Sequence, residues 1–363
     1  MAQRQTYESH LVGVGLPMTG DKLTGVGTYT DSIRYLPFAQ GLAYGYQKNI
    51  VRERMLSNDD FEFNRQINWS EVSVSIRQFD YYIDDAAYNS ILEDVHITER
   101  GVSIATGVAT PIIKQLAQND RDRDGAAIYF LTDTGQIYRD QIDNQDTYWK
   151  QYTIFDPCYL ASITWSNSIG SVATYEFEFV GNYIEQDSVQ GNMLNWDIRK
   201  PFKSGTAYSA KTNVADARDS DSYLNLESAS GLFQAIDTTI SGAPDFGEIR
   251  GASWTVSLER INIYSLGNPM ILDRKLAPMS VGSLTLEYNY EGQEIDGASF
   301  LDAEYTIAIT NTNLFGKQHV YTIYGANLQS VQLNSSTDGS PDTYSAQFSF
   351  SVSPTTGLFI TKY

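Results

Sequence analysis

Apolar and polar residues alternate with a period of two in several short stretches of the chain. In one stretch, Val72, Val74 and Ile76 are separated by polar side chains. The same alternation occurs in four further stretches: Tyr175–Phe179, Val256–Leu258, Leu284–Tyr290 and Phe348–Val352. Residues two apart on a strand lie on the same face. Each stretch therefore predicts a strand with one buried side and one solvent-facing side.

Helical signals are few and short. Capping residues and proline favour three short helices, over Ala86–Leu92, Pro111–Gln118 and Ser299–Ala303. The 25 tyrosines and 16 phenylalanines favour strands, because aromatic side chains fit a pleated, half-buried surface. The pattern as a whole predicts a mainly β protein with minor helices.

The length and the net charge of the chain limit the classes of protein to which it can belong. A chain of 363 residues predicts about two domains. The formal net charge of −19 argues against a sequence-independent nucleic-acid binder, which needs a basic face to displace counterions from phosphates. The single cysteine, Cys158, excludes an intramolecular disulfide, and three histidines leave little for a Cys/His metal site.

No membrane or secretion signal is evident in the sequence. No run approaches the roughly 18 apolar residues that would cross a bilayer. The first residues, Met1–Tyr7, have no apolar stretch of signal-peptide length. We therefore expect a protein that is made in the cytoplasm and has no membrane partner.

The same pattern of residues occurs twice along the chain. Three ordered blocks match, at offsets of 165, 185 and 169 residues: Ile33–Tyr44 with Ile198–Tyr208, Asp60–Trp69 with Asp245–Trp254, and Tyr152–Phe179 with Tyr321–Phe348. Chance similarity between β-rich stretches could explain one block, but three blocks in the same order argue for a duplication. A unit this long is a duplicated domain, since solenoid repeats run about 20–50 residues. The sequence therefore predicts an N-terminal arm over 1–29, a first domain over 30–190, and a second domain over 191–363 with a loop insertion near 213–242.

The second half contains, in order, Trp254–Glu259, the Leu266–Gly267 loop, Ser283–Tyr290 and the closing segment Gly325–Val352. This order of segments is similar to that of bacteriophage tail tube proteins. The first half departs from it, because no Leu-Gly loop follows Trp69. The resemblance implies two tandem tail-tube-like β-sandwich or barrel domains, each with a short helix. It also implies pseudo-six-fold rings closed by three copies.

The resemblance further implies a virion structural protein with no enzyme activity, assembled in the host cytoplasm into stacked rings. Its implied partners are copies of itself, the tape measure, the tail terminator, the baseplate and, in a contractile tail, the sheath. DNA would pass through the tube without sticking. Ring closure also has an independent rationale, because pairing exposed sheet edges in a closed ring removes unpaired backbone groups.

Acidic residues on the polar faces of the predicted strands are candidates for the lumen of such a tube. A pore lined with carboxylates repels DNA phosphates, whereas a basic lining would hold them. The candidate lumen-facing acids are Glu71, Glu176, Glu178, Glu259 and Glu287. Ordinary solvated acids on an outer face are the alternative interpretation for each of them.

No catalytic or cofactor site is predicted. Asp120–Gly125 opens like a calcium-binding loop, but Leu131 stands where the bidentate glutamate is required, so a salt-bridged turn is favoured over a cation site. Gly15–Lys22 lacks the lysine of a phosphate-binding loop and is read as an ordinary loop. Cys158 is expected to behave as a small apolar residue. The three histidines, His10, His96 and His319, have no motif neighbours, so no metal ligand is expected.

Two alternative functions stay open from the sequence. A baseplate hub or tube-initiator ring would use similar paired domains but form one ring instead of many. A carbohydrate-binding or carbohydrate-cleaving β-sandwich would also suit the aromatic content and the acidic balance. The sequence does not determine the host or whether the tail is contractile.

Overall fold

The computed structural model describes a large part of the chain as β-structure. The described residues are 10–15, 19–21, 26–28, 34–35, 39–47, 50–54, 62–66, 71–82, 107–112, 126–139, 146–181, 184–190, 232–264, 271–277, 280–290, 303–335, 342–353 and 355–363. Almost all of them lie in strands or turns. The predicted helical segments fall outside these residues, apart from Pro111, Ile112 and Ala303, and Pro111 lies in a strand instead of a helix. The segment Asp120–Gly125 also lies outside them.

The described residues form 22 strands. Those of the first half are β1 His10–Gly15, β2 Thr19–Asp21, β3 Val26–Thr28, β4 Arg34–Tyr35, β5 Ala39–Gln47, β6 Ile50–Arg54, β7 Glu62–Gln66, β8 Glu71–Phe79, β9 Thr110–Pro111, β10 Ala126–Arg139, β11 Asp146–Ser168, β12 Thr174–Gly181 and β13 Ile184–Gln190. Those of the second half are β14 Phe233–Ser241, β15 Ile249–Ser257, β16 Arg260–Tyr264, β17 Ile271–Leu276, β18 Ser280–Asn289, β19 Glu304–Asn313, β20 Gln318–Asn334, β21 Thr343–Val352 and β22 Leu358–Lys362.

Sixteen of these strands belong to one antiparallel sheet. In the first half, the pairing order is β5-β8-β12-β11-β10, and β13 continues along β11 beyond β12. In the second half, the order is β15-β18-β21-β20-β19, and β22 continues along β20 in the same way. The two halves therefore repeat one order of strand pairing within a single sheet. The division into two domains at residues 190 and 191 stays a prediction.

Irregularities in the ladders fall at matching places in the two halves. β5 shifts register between Ala39 and Gly41, and β15 does so between Ile249 and Gly251. Likewise, β11 shifts between Leu160 and Ser162, and β20 between Leu328 and Ser330. A bulge is a specific local feature of a strand pair. Its recurrence fixes which strand of one half corresponds to which strand of the other: β5 to β15, and β11 to β20.

This correspondence differs in part from the alignment of the sequence. Trp254 on β15 corresponds to Tyr44 on β5. Trp254 pairs with Leu284, which in turn pairs with Phe348. In the same way Tyr44 pairs with Val74, which pairs with Phe179. The sequence alignment matched Trp254 with Trp69 instead, a residue outside the described part of the chain. The match of Tyr175 with Tyr344 agrees with the pairing. The second copy of the first block, 198–208, is not among the described residues.

The predicted strand faces are confirmed. Along β8 the side chains alternate between buried and more exposed, and Val72, Val74 and Ile76 are buried. The same holds for the predicted inner positions of β12, β18 and β21. Tyr290 is an exception, because it lies just beyond β18 and is exposed.

Two segments that the sequence assigned to an arm and a loop contain strands. Within the arm, β1 pairs with β10 and with β4 and so joins the large sheet. At the end of the predicted insertion, β14 pairs with β19. The Ser, Asp and Gly residues of the predicted insertion favour a loop. At its end, however, apolar residues recur in Phe233–Ser241, and this segment forms a strand paired with β19.

In the core, the first part of β20 packs against β11 and β15 of the same sheet. Tyr321 on β20 contacts Trp165 at 5.1 Å and Trp254 at 5.5 Å between ring centroids. All three side chains are fully buried. The arrangement is sandwich-like, and one hydrophobic cluster spans both halves.

Candidate functional site

One face of the central sheet is covered by small hydroxyl side chains. Because directly opposed residues of antiparallel strands share a face, the lateral row Arg77, Glu176, Thr164, Thr255, Ser283 and Ser349 lies on this face. We call this surface the hydroxyl face. Its serines and threonines include Ser73, Ser75, Ser162, Thr164, Ser166, Ser253, Thr255, Ser257, Ser283, Thr285, Ser345, Ser349 and Ser351.

The hydroxyl face crosses from one half of the chain to the other without interruption. β11 of the first half pairs with β15 of the second, from Ser162 opposite Ser257 to Ser168 opposite Gly251. Thr164 and Thr255 are hydrogen-bonded across this boundary, with 2.9 Å between their hydroxyl oxygens. The opposite side of the same strands carries the buried Trp165 and Trp254. The alternation of the strands thus separates a dry side from a polar side along the full width of the sheet.

Acidic side chains are set among the hydroxyls. Glu176 and Glu178 on β12 are exposed and accept hydrogen bonds from Ser75 at 3.2 Å and from Ser162 at 2.7 Å. Glu287 on β18 is also exposed. These bonds hold the carboxylates against the sheet while leaving them in contact with solvent.

The five predicted lumen acids do not form one cluster. By strand register Glu71, Glu176, Glu178 and Glu287 lie on the hydroxyl face, and Glu259 is exposed two residues after the end of β15. Glu71 lies at the start of β8 and is paired with Arg274 of β17, whose guanidinium donates two hydrogen bonds of 3.1 Å to one carboxylate oxygen. Since Arg274 is buried, this ion pair anchors the β16–β17 hairpin to the sheet. The charge of Glu71 is therefore largely compensated.

A buried polar network, which sequence reasoning did not find, lies under the hydroxyl face. The Asp80 carboxylate accepts hydrogen bonds from Trp165 Nε1 at 2.9 Å and from the Tyr321 hydroxyl at 2.7 Å, and His319 Nδ1 lies 3.1 Å from it. The Tyr175 hydroxyl is hydrogen-bonded to that of Tyr321. We call these five residues the Asp80 network. All are buried, so the network is closed to a substrate in solution.

Burial changes the acidity of groups in and beside the network. Burial, and then the nearby Asp80 carboxylate, raise the pKa of Tyr175 and of Tyr321 above the usual range. Burial lowers the pKa of Lys362 to about 7, although Asp80 acts in the opposite direction. The Lys362 ammonium group also lies 5.0 Å from the centre of the Tyr82 ring.

The Asp80 network connects the two halves of the chain. Asp80, Trp165 and Tyr175 come from the first half, whereas His319 and Tyr321 come from the second. Backbone bonds of Phe233 reinforce the connection, since its N–H donates to the Asp80 carbonyl and its carbonyl accepts from Ala173. The network is therefore a structural lock between the halves. No sequence motif marks it, because its members are far apart along the chain.

The part of the chain that the structure describes offers neither a metal site nor a membrane-spanning helix. Those residues contain no group of three or more His, Cys, Asp or Glu side chains placed to hold a metal ion. None of the helical segments among them could span a bilayer. Cys158 is buried beside Gly181, as expected for a small apolar residue. His319 is buried in the Asp80 network, which makes it a structural residue.

Comparison with known proteins adds no family assignment. No protein-family model matches the chain, and no curated protein matches it. The class that the structure defines is a mainly β protein built on a large antiparallel, sandwich-like sheet.

Proposed function

We propose that this chain is a virion structural protein that assembles into stacked rings, forming the hollow tail tube through which a phage genome is delivered. The observation that carries the proposal is the hydroxyl face, which runs unbroken over strands from both halves of the chain. In the proposed tube, this face lines the channel. The resemblance of the second half to tail tube proteins supports the same assignment.

The chemistry of the hydroxyl face suits the passage of a polyanion. Serine and threonine hydroxyls are neutral and well hydrated, so they offer no strong attraction to phosphate. Glu176, Glu178 and Glu287 add negative charge, which repels DNA, whereas basic side chains would bind it by releasing counterions. Arg77 lies directly opposite Glu176 and offsets part of that charge. A broad, flat, weakly acidic surface favours sliding over binding.

The repeated order of strand pairing supports a ring. Two halves with the same pairing supply two near-equivalent wedges, so three copies would close a ring of pseudo-six-fold symmetry. Contacts between unlike surfaces of identical copies give rings when the rotation closes. In a virion, the tube would also contact the tape measure, the terminator, the baseplate and any sheath.

Electron microscopy of the purified protein in negative stain tests the proposal. We expect rings or tubes with a central hole, containing three chains per ring by mass measurement. Many stacked rings favour a tube protein, and isolated single rings favour a hub or initiator. A compact monomer at all concentrations would overturn the proposal and favour the alternative of a carbohydrate-binding or carbohydrate-cleaving β-sandwich.

Reversing charge on the hydroxyl face is expected to make assembled rings hold DNA. In the Glu176→Lys, Glu287→Lys double variant, three chains would place six new lysines in the channel. The measurement is DNA binding against salt, where six phosphate contacts give a slope of about −5 in log K against log salt. Retention of linear DNA but not of closed circular DNA is expected, because only a free end can enter a closed ring.

The control variant is Asp245→Lys, since Asp245 is exposed in the segment between β14 and β15, off the strands of the hydroxyl face. A lysine there should not discriminate between linear and circular DNA. Equal retention of both DNA forms by the double variant would place the hydroxyl face on the outside of the assembly. The Glu259→Lys, Glu287→Lys pair tests Glu259, a further predicted lumen acid, in the same way, with ring assembly expected to be unchanged.

A further inference from the structure

The seam between the two halves is an edge-to-edge strand pairing with a defined register. The last part of β11 pairs with β15, and Trp165 lies directly opposite Trp254. The two indole rings are stacked, with 6.3 Å between centroids and 16° between planes. We call this pairing the internal joint. The internal joint pairs β15, the first strand in the pairing order of the second half, with β11, the long strand in the pairing order of the first half.

Each strand of the internal joint has a counterpart in the other half. The counterpart of β15 is β5, and the counterpart of the last part of β11 is Ser330–Asn334 on β20. Among the described residues, β5 pairs only with β8, along one of its edges. Residues Ser330–Asn334 pair with β21 on one side, and the described part of the chain places no strand on the other. The fold therefore presents two matching edges, one in each half.

We propose that β5 of one copy pairs with the end of β20 of a second copy, in the register of the internal joint. This inference rests on the proposed function, because it specifies how the copies of a ring meet. Transferring the register places Leu333 opposite Tyr44, as Trp165 is opposite Trp254. It also places Val331 opposite Tyr46 and Asn334 opposite Ala43.

The side chains at the transferred positions are those expected of a joint that has not yet formed. Trp165 and Trp254 are fully buried, whereas Tyr44 is 46% exposed and Leu333 is 50% exposed. Tyr44 already contacts Phe155 of its own half at 5.0 Å, much as Trp254 contacts Tyr321 of its own half. Pairing with a second copy would cover the apolar surface of Leu333 and the remaining surface of Tyr44.

The residues on the polar side of the two matching edges also fit the register of the internal joint. On β20, Gln332 lies between Val331 and Leu333 in sequence and points to the opposite face, where it is exposed. Its transferred partner is Gly45, as Thr164 pairs with Thr255 in the internal joint. The hydroxyl face would therefore continue from one copy into the next. An exposed edge strand invites pairing with another chain, and a ring formed this way would pair the edge of β5 and the edge of Ser330–Asn334.

Cysteine cross-linking tests the register. In the Tyr44→Cys, Leu333→Cys double variant, oxidation is expected to give covalent dimers and trimers on a denaturing gel. For a three-copy ring, the trimer is the largest product. Each single variant should stay monomeric, since the native Cys158 is buried. The matched control is Tyr44→Cys with Gln332→Cys, whose second cysteine points to the other face and should cross-link at least tenfold less.

A charge test covers the case in which the double variant fails to assemble. Leu333→Lys is expected to abolish rings in electron micrographs, whereas Gln332→Lys, one residue away on the same strand, should leave them intact. Equal effects of the two lysines would overturn the joint. So would a cross-linked product that runs as a monomer, because the two edges would then meet within one chain.

Failure of the joint is distinguishable from failure of the proposed function. Rings in the wild-type protein without cross-linking of the double variant would remove the joint and leave the ring proposal standing. Absence of rings from the wild-type protein would remove the proposed function itself.

Discussion

Replacing Asp80 by alanine is expected to lower the free energy of unfolding by about 3–5 kcal/mol, as for the loss of one partner from a buried charged network. The substitution leaves Trp165 Nε1 and the Tyr321 hydroxyl without their acceptor inside the core. It also removes the carboxylate that faces His319 at 3.1 Å. Buried donors that lose their acceptor keep the cost of desolvation without the bond.

Urea unfolding followed by tryptophan fluorescence measures this loss, because Trp165 belongs to the network. Asp80→Asn retains one carbonyl acceptor and should lose less stability than Asp80→Ala. Glu259→Ala is the control for removing an exposed acid and should stay within about 0.5 kcal/mol of the wild type. An Asp80→Ala protein as stable as this control would show that the network does not lock the halves together.

Replacing Trp254 by alanine is the second large expected effect, again about 3–5 kcal/mol, the range for removing a buried tryptophan. Trp254 is fully buried and packs on Trp165, Tyr321 and Tyr175. Its removal leaves a cavity at the internal joint, which the surrounding strands can fill only in part. The midpoint of urea unfolding should fall without a change in the strand content measured by circular dichroism.

The matched variant is Tyr44→Ala, at the corresponding position of the first half. Because Tyr44 is half exposed, its removal from a separate chain should cost less than about 1 kcal/mol. Assembly should nevertheless be weakened, which separates a joint within the chain from a joint between copies. Similar losses of stability from the two alanine variants would contradict the correspondence of β5 with β15.

The strands and their buried faces could be predicted from the sequence because they depend on local alternation. Val72, Val74 and Ile76 are buried as the pattern indicates, and so are Tyr175 and Phe177. The period-two rule needs only neighbouring residues, and packing did not override it in these strands. The polar residues of the same strands form the hydroxyl face, so four of the predicted lumen acids, Glu71, Glu176, Glu178 and Glu287, lie on that face.

The register of the repeat could not be predicted from identical residues. At the joint, Tyr44 stands where the second half has Trp254, and Leu333 stands where the first half has Trp165. The paired strands tolerate these exchanges because the fold requires an apolar side chain there, not a particular one. An alignment built on shared tryptophans therefore matched Trp254 with Trp69 and not with Tyr44.

The Asp80 network and the Glu71–Arg274 pair were also missed, for a different reason. Arg274 is 203 residues from Glu71 along the chain, and Tyr321 is 241 residues from Asp80. Local patterns carry no information about such distant contacts. An isolated aspartate at the end of a strand gives no sign that a tyrosine and a histidine of the other half will meet it.

The internal joint also has a consequence for how the protein is made. Thr164 and Thr255 are 91 residues apart, so the ribosome must add that many residues before the second strand of the joint exists. At roughly 5–20 residues per second, translation takes about 5–18 s to cover this distance. Throughout that delay, the nascent chain exposes the apolar edge of β11 around Trp165 to other chains that are being translated from the same messenger RNA. Slower elongation between the two strands should therefore increase the fraction of insoluble product.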